Sequence, residues 1–89
     1  MSTASRTGLR RELGDRLREL RLAAGITSQE ALAQRAGVHR TYVGRLERGE
    51  SGVTVETLAA VLAAMDLSLG EFFRQFARPV RPPTPRRRV

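Results

Sequence analysis

The 89-residue sequence has no cysteine and no tryptophan, and its only aromatic side chains are three phenylalanines and one tyrosine. Without cysteine, disulfide bonds and thiolate metal sites are excluded. The single histidine has no second histidine or cysteine to share a metal ion with, so we expect neither a metal site nor a cofactor. The lack of cysteine also fits a reducing compartment, and we expect a cytoplasmic protein.

Long apolar runs are also missing. No stretch approaches the roughly 20 apolar residues that a membrane-spanning helix requires. Residues 1–8 are polar and lack the apolar centre of a secretory signal. We therefore expect no membrane partner.

Lysine is absent too, and all sixteen basic residues are arginine, which gives a net charge of +7. Five of these arginines lie in residues 77–89, which contain no acidic residue. Residues 1–76 hold eleven arginines against nine acidic residues, a net charge of only +2. The charge alone is therefore weak evidence for a nucleic-acid partner. The arginines of the tail either contact DNA non-specifically, by releasing counterions, or have no binding role.

The apolar pattern predicts an all-α fold, because spacings of three and four residues recur and no strand pattern is present. The length permits one small domain. We expect a disordered lead over residues 1–8, a compact five-helix domain over 9–76 and a flexible tail rich in proline and arginine over 77–89.

Start and stop signals place the helices along the chain. The first is expected from about Leu9 to Ala24, with Gly25 as its C-terminal stop and one apolar face formed by Leu9, Leu13, Leu17, Leu20 and Ala24. Two residues compete to cap the second helix: Thr27, which forms a capping box with Glu30, or Ser28. Later helices are expected after Thr54 and after Ser68, which forms a second capping box with Glu71.

A third helix is expected to begin within a residue or two of Val38 and to end at Gly49. Gly37 separates it from the second helix by a turn of about three residues. Two short helices joined in this way have the outline of a helix-turn-helix.

The stretch from Gly25 to Gly49 resembles the Cro and lambda-repressor-like helix-turn-helix family, and the resemblance extends over residues 9–76. The residues that carry it are Gln29, Glu30, Leu32, Ala33, Ala36, Gly37, Val38, Tyr42, Leu46, Glu47 and Gly49. The segment from His39 to Val43 is similar to restriction–modification controller proteins. The resemblance implies a DNA-binding transcription regulator whose helix-turn-helix is formed by helices 2 and 3.

The resemblance places a recognition helix at about residues 39–48 in the major groove of duplex DNA. The expected DNA-binding residues are Gln29, His39, Arg40, Thr41, Tyr42, Gly44, Arg45 and Arg48. Arginine is shaped to donate two parallel hydrogen bonds to guanine, so Arg40 and Arg45 are the candidates for base contact. Gln29 matches the family's phosphate-binding glutamine, and Gly44 is expected to allow close approach to the groove.

Each of these residues also has a simpler interpretation. The arginines could merely solvate an exposed helix face. His39 could cap the helix rather than contact a phosphate. Tyr42 could stack on a base, or pack beside Val43 and Leu46 with its hydroxyl towards a phosphate.

Two further sets of residues have expected structural roles. The resemblance implies an ion pair between Arg21 and Glu47, although they could be two unrelated surface charges. Leu69, Phe73 and Phe76 are surplus to so small a core and are expected to form a homodimer interface, which would require a near-palindromic operator. The alternative is that the phenylalanines close the core.

The sequence offers no catalytic constellation, because no nucleophile, paired base, phosphate-binding loop or metal set is evident. We therefore expect no enzymatic activity and no small-molecule ligand. The rival interpretation is a DNA-binding antitoxin, or a bridging module, whose main partner is another protein.

Overall fold

A computed structural model describes residues 4–74 and residue 76, and this part of the chain contains five helices and no strand. The helices are α1 (Ala4–Ala23), α2 (Gln29–Ala36), α3 (Arg40–Glu47), α4 (Val55–Ala63) and α5 (Leu69–Arg74). The prediction of an all-α, five-helix fold is therefore confirmed. No helix within the described residues is long and apolar enough to cross a membrane. The tail expected over residues 77–89 lies outside them.

The first helix begins earlier than predicted. Residues 1–3 lie outside the described part of the chain, but α1 already starts at Ala4, so the disordered lead expected over residues 1–8 is wrong from that point onward. No proline interrupts the chain between Ala4 and Leu9, and a single internal glycine costs a helix only about 1 kcal/mol. Leu9, which was expected on the apolar face, is 47% exposed.

Side-chain caps fix where the later helices start. Ser28, not Thr27, caps α2, and its hydroxyl accepts a hydrogen bond from the Ala31 N–H at 3.0 Å. Before α5, Ser68 and Glu71 form a reciprocal capping box with N···O distances of 2.9 and 3.0 Å. Both caps satisfy amide groups that a helix start would otherwise leave without partners.

The core takes at least one large side chain from each helix. Leu17 of α1, Leu32 of α2, Leu46 of α3, Leu62 of α4 and Phe72 of α5 are each at most 1% exposed. Burying such side chains contributes about 1.5–3 kcal/mol each. All five helices are thereby held to one centre, and α3 is packed against both α1 and α2.

Two glycines let α1 cross the C-terminal end of α3 in backbone contact. A Cβ atom on Gly14 would lie 2.8 Å from the Glu47 carbonyl oxygen, and one on Gly49 would lie 2.8 Å from the Arg11 Cα. Gly49 also has φ of +74°, which side chains disfavour. These contacts fix the position of the C-terminal end of α3 along α1.

Candidate nucleic-acid interface

The turn between α2 and α3 is built on Gly37, whose φ of +75° reverses the chain after α2. The N–H of Val38 closes this turn on the Ala33 carbonyl at 3.0 Å. His39 then caps α3, because its Nδ1 accepts a hydrogen bond from the Thr41 N–H at 3.1 Å. The imidazole thus lies at the exposed start of α3, and the cap uses only one of its two ring nitrogens, Nδ1.

Helix α3 has two different faces. Val43 and Leu46 are buried at 2% and 1% exposure and hold the helix against the core. Arg40, Thr41 and Arg45 are exposed on the outer side. A helix that is anchored on one face and polar on the other can enter the major groove without disturbing the core.

The outer side of α3 shares a shallow cleft with the start of α2. The side chains and backbone that line it belong to Ser28, Gln29, Glu30, Arg40, Thr41, Gly44 and Arg48. Five of these side chains can donate hydrogen bonds, Glu30 contributes a carboxylate, and the N-terminus of α2 adds a positive dipole end. The cleft therefore suits an anion such as a DNA phosphate.

Gly44 does not lie where the sequence placed it. It is buried, and a Cβ atom there would be 3.0 Å from the Gln29 Oε1 and 3.1 Å from the Arg48 Nη1. Two long side chains fold over the glycine, so its expected exposure to the groove is corrected. Its small size makes room for Gln29 and Arg48, and because it also lines the cleft, its assignment to DNA contact stays a prediction.

A buried ion pair connects α1 to α3. The Arg21 Nε and Nη2 donate to the two carboxylate oxygens of Glu47 at 2.7 and 3.1 Å, and both side chains are almost fully enclosed. Arg21 Nη1 also donates to the Ile26 carbonyl at 3.0 Å. The carboxylate therefore lies behind α3 and takes no part in the exposed surface.

The same carboxylate holds the side chain of Gln29. Gln29 Nε2 donates to the Glu47 Oε1 at 3.0 Å. The link was not anticipated from the sequence, where Gln29 was assigned only to phosphate contact. Glu47 follows the core residue Val43 by four positions, which places it on the buried face of α3. No local feature of the sequence indicated that the side chain of Gln29 would reach it.

Two arginines of the surface have acidic neighbours. Arg48 Nε and Nη2 donate to the two carboxylate oxygens of Glu50 at 2.9 and 3.2 Å. Arg40 lies 3.9 Å from the carboxylate of Glu30. Neither acidic residue was assigned to the site from the sequence. Whether two exposed side chains form an ion pair depends on their rotamers, which the sequence does not specify.

The hydrogen bonds from Arg48 lower the pKa of Glu50, and the nearby charge of Arg45 lowers it further. The same hydrogen bonds raise the pKa of Arg48. Both groups therefore remain charged over the physiological range.

Tyr42 has its ring packed against the core cluster and is only half-buried. Burial raises the pKa of its phenol, so the hydroxyl stays protonated and can donate. The ring is thus positioned by packing, as in the second of its two expected interpretations.

The three phenylalanines in α5 and just after it occupy three different environments. Phe72 is fully buried, Phe73 is 48% exposed, and Phe76 is half-buried against the core. Leu69 is also half-buried. Phe73 meets Phe72 edge to face at a centroid distance of 5.3 Å, so its position is fixed although its outer face is uncovered.

Within the described residues, no group of three or more histidine, cysteine or acidic side chains could hold a metal ion. The exposed surface of α2 and α3 instead combines arginine, amide and hydroxyl donors with the carboxylate of Glu30.

Comparison with known proteins places this geometry in context. A model of the family described as helix-turn-helix matches residues 17–72. Control protein C.SmaI of Serratia marcescens is 48% identical over 42 residues, which are 47% of this chain and 50% of that protein. The chain thus matches only half the length of this curated relative.

Solved structures are similar over more of the chain. The restriction–modification controller protein C.AhdI from Aeromonas hydrophila is 41% identical with a TM-score of 0.70, covering 74% of this chain and 98% of that one. The clp gene regulator ClgR from Corynebacterium glutamicum is 36% identical with a TM-score of 0.71, covering 78% and 72%. The arrangement of the five helices is therefore shared with regulatory proteins.

Proposed function

Because the chain belongs to the helix-turn-helix family whose model matches residues 17–72, we propose that it regulates transcription by binding duplex DNA with α3 in the major groove. One observation carries the proposal: the N-terminal ends of α2 and α3 open onto a single cleft in which five side chains can donate hydrogen bonds and one, Glu30, is a carboxylate. Val43 and Leu46 anchor α3 from behind, so its outer face is free to meet base edges.

The residues divide between base contacts and backbone contacts. Arg40 and Arg45 read guanine through paired hydrogen bonds, and Thr41 contacts a thymine methyl group or a phosphate. Gln29, with the amide groups at the start of α2, holds a phosphate and fixes the register. The hydroxyl of Tyr42 donates to a neighbouring phosphate.

We further propose that the chain regulates genes in the manner of the restriction–modification controller proteins. Of the similar proteins, C.AhdI is described as a restriction–modification controller protein, C.SmaI as a control protein and ClgR as a gene regulator. The relatives are regulatory proteins, and we propose no reaction for this chain. A cytoplasmic location, where genomic DNA is accessible, is part of the same proposal.

The binding unit we propose is a homodimer. One recognition helix reads only a few base pairs, whereas specific interfaces bury about 1,000 Å² or more of protein surface. Two copies related by a two-fold axis double the contacts and require a near-palindromic operator. The exposed ring of Phe73, flanked by Leu69 and Phe76, is the surface that we assign to this contact.

Selection of bound sites from random duplexes tests the proposal. We expect enrichment of one near-palindromic sequence whose half-sites lie about one helical turn, near 34 Å, apart. The matched control is the Arg40→Ala, Arg45→Ala double variant, which leaves the fold intact and should enrich nothing. Absence of enrichment with the wild type would overturn the proposal.

The exposed Phe73 also favours a second candidate, a DNA-binding antitoxin or bridging module whose partner covers that ring. The two candidates differ in what accompanies the chain from its native source. An antitoxin purifies with a stoichiometric second protein, whereas the proposed regulator purifies as copies of itself.

A further inference from the structure

Glu50 occupies a fixed place at the end of the proposed recognition helix. Gly49 turns the chain back at φ of +74°, and the Glu50 N–H then donates to the Arg45 carbonyl at 2.9 Å. Its carboxylate consequently lies beside the C-terminal end of α3. That end of a helix dipole disfavours negative charge, so the carboxylate depends on the arginines around it.

The contact between Glu50 and Arg48 has the form of a guanidinium–phosphate contact. Nε and Nη2 of Arg48 each donate to a different carboxylate oxygen, at 2.9 and 3.2 Å. A DNA phosphate would be held by the same two donors in the same parallel arrangement. Carboxylate and phosphate therefore compete for one set of nitrogen atoms.

The pair stands at the proposed DNA-binding surface. Arg48 lines the cleft together with Gln29, and its Nη1 lies over Gly44. Both members of the pair are about half-exposed, at 55% and 51%, so solvent and a ligand can reach them. Glu50 also lies near enough to Arg45 for that charge to lower its pKa.

We infer that Glu50 is a positioning residue that holds Arg48 as an internal counter-ion and so limits the affinity of this surface for the phosphates of any duplex. The inference rests on the proposed function. Nε and Nη2 of Arg48 must leave Glu50 before they can hold a phosphate in this parallel arrangement, and the released carboxylate then repels the DNA backbone. Because phosphate contacts carry no sequence information, the effect is equal for every sequence.

The salt dependence of DNA binding measures this effect directly. Each phosphate neutralised by an arginine adds about 0.9 to the slope of log affinity against log salt concentration. In the wild type, Arg48 is already neutralised by Glu50 and adds little. Glu50→Gln keeps the shape of the side chain, removes the charge and frees Arg48 for a phosphate.

The experiment is a fluorescence-anisotropy titration of the full chain with labelled random duplex and with a selected site, repeated over a series of KCl concentrations. For Glu50→Gln we expect the slope to steepen by about 0.9 for each bound protomer, and so by about 1.8 for the proposed dimer. At the lowest salt concentration, both duplexes should bind roughly two- to fivefold more tightly for each bound protomer, as expected for loss of one exposed ion pair in each. Adding Arg48→Ala to Glu50→Gln should abolish both changes.

Glu19→Gln is the matched control, because it removes the same charge and also breaks an exposed pair, that with Arg16 on α1 at 2.8 Å. Thermal unfolding of each variant confirms folding. Equal slopes for Glu50→Gln and Glu19→Gln, or steepening that persists without Arg48, would overturn the inference alone. A wild type that binds neither duplex would overturn the proposed function and, with it, the inference.

Discussion

Gln29 donates its side-chain amide to Glu47 at 3.0 Å, and the accepting oxygen is one that Arg21 also binds, at 3.1 Å. A residue of the exposed cleft is thus tied to an ion pair in the interior. The bond uses one N–H of Gln29 Nε2, leaves the second N–H for another acceptor such as a phosphate, and places Oε1 over Gly44. Glu47 therefore joins α1, α2 and α3, and the geometry of the cleft depends on a buried residue.

Replacing Glu47 tests how far the fold depends on this junction. Glu47→Gln leaves Arg21 buried without a counter-charge, and loss of one member of a buried pair costs about 3–5 kcal/mol. Urea denaturation should show a loss of that size. Glu19→Gln, which breaks an exposed pair, should cost at most about 1 kcal/mol. Equal stability of the two variants would contradict the structural role of Glu47.

Gln29→Ala separates backbone contact from sequence reading. The variant removes one hydrogen bond to a phosphate, and bonds to charged groups contribute about 1.5–3 kcal/mol. Binding should weaken by the same factor on a selected site and on random duplex, as measured by anisotropy. A change in the preferred sequence would show that Gln29 reads a base.

Arg45→Ala should have the opposite signature. Loss of a paired contact to guanine weakens the selected site by about 1–3 kcal/mol and random duplex much less. The same two titrations measure both. Equal losses on the two duplexes would reassign Arg45 to a phosphate.

The crossing of α1 over α3 gives a test with an internal control. Gly14→Ala places a Cβ atom against the backbone of α3, and overpacking of this kind typically costs about 1–3 kcal/mol. Gly8→Ala, in the same helix, meets nothing within 4 Å and should stabilise it, by up to about 1 kcal/mol. Thermal unfolding distinguishes them. A Gly14→Ala variant as stable as the wild type would show that the two helices do not touch there.

Local chemistry made much of the fold predictable. A left-handed turn favours glycine, so Gly25 and Gly37 marked two helix ends correctly. A capping box is formed by two residues three positions apart and can therefore be recognised locally, so Ser68 and Glu71 marked the start of α5. The apolar spacing of α1 placed Leu17 in the core for the same reason, because helical periodicity is a local property.

Contacts between distant residues were less accessible. The ion pair of Arg21 with Glu47 spans 26 positions, and only the family resemblance indicated it. Nothing in the sequence showed that Gln29 joins that pair, or that Gly44 lies beneath Gln29. An internal glycine such as Gly14 signals close packing in general, but its partner depends on how two helices cross.

Phe73→Asp tests the proposed dimer, and the structure selects it over Phe76→Asp. Phe73 is 48% exposed, whereas Phe76 is half-buried against the core, so a charge at Phe76 would also disturb the fold. We expect Phe73→Asp to give a folded monomer by sedimentation equilibrium. Its operator binding should be much weaker, with unchanged preference for one half-site.

Val55→Asp is the control for the Phe73 variant, since Val55 is the more exposed apolar residue, at 65%, but lies at the start of α4. It should remain dimeric and bind the operator as the wild type does. Loss of the dimer in both variants would move the interface towards α4. A wild type that sediments as a monomer at tens of micromolar, and also as a monomer on DNA, would contradict the dimer. Phe73 would then be an exposed side chain that no second copy covers.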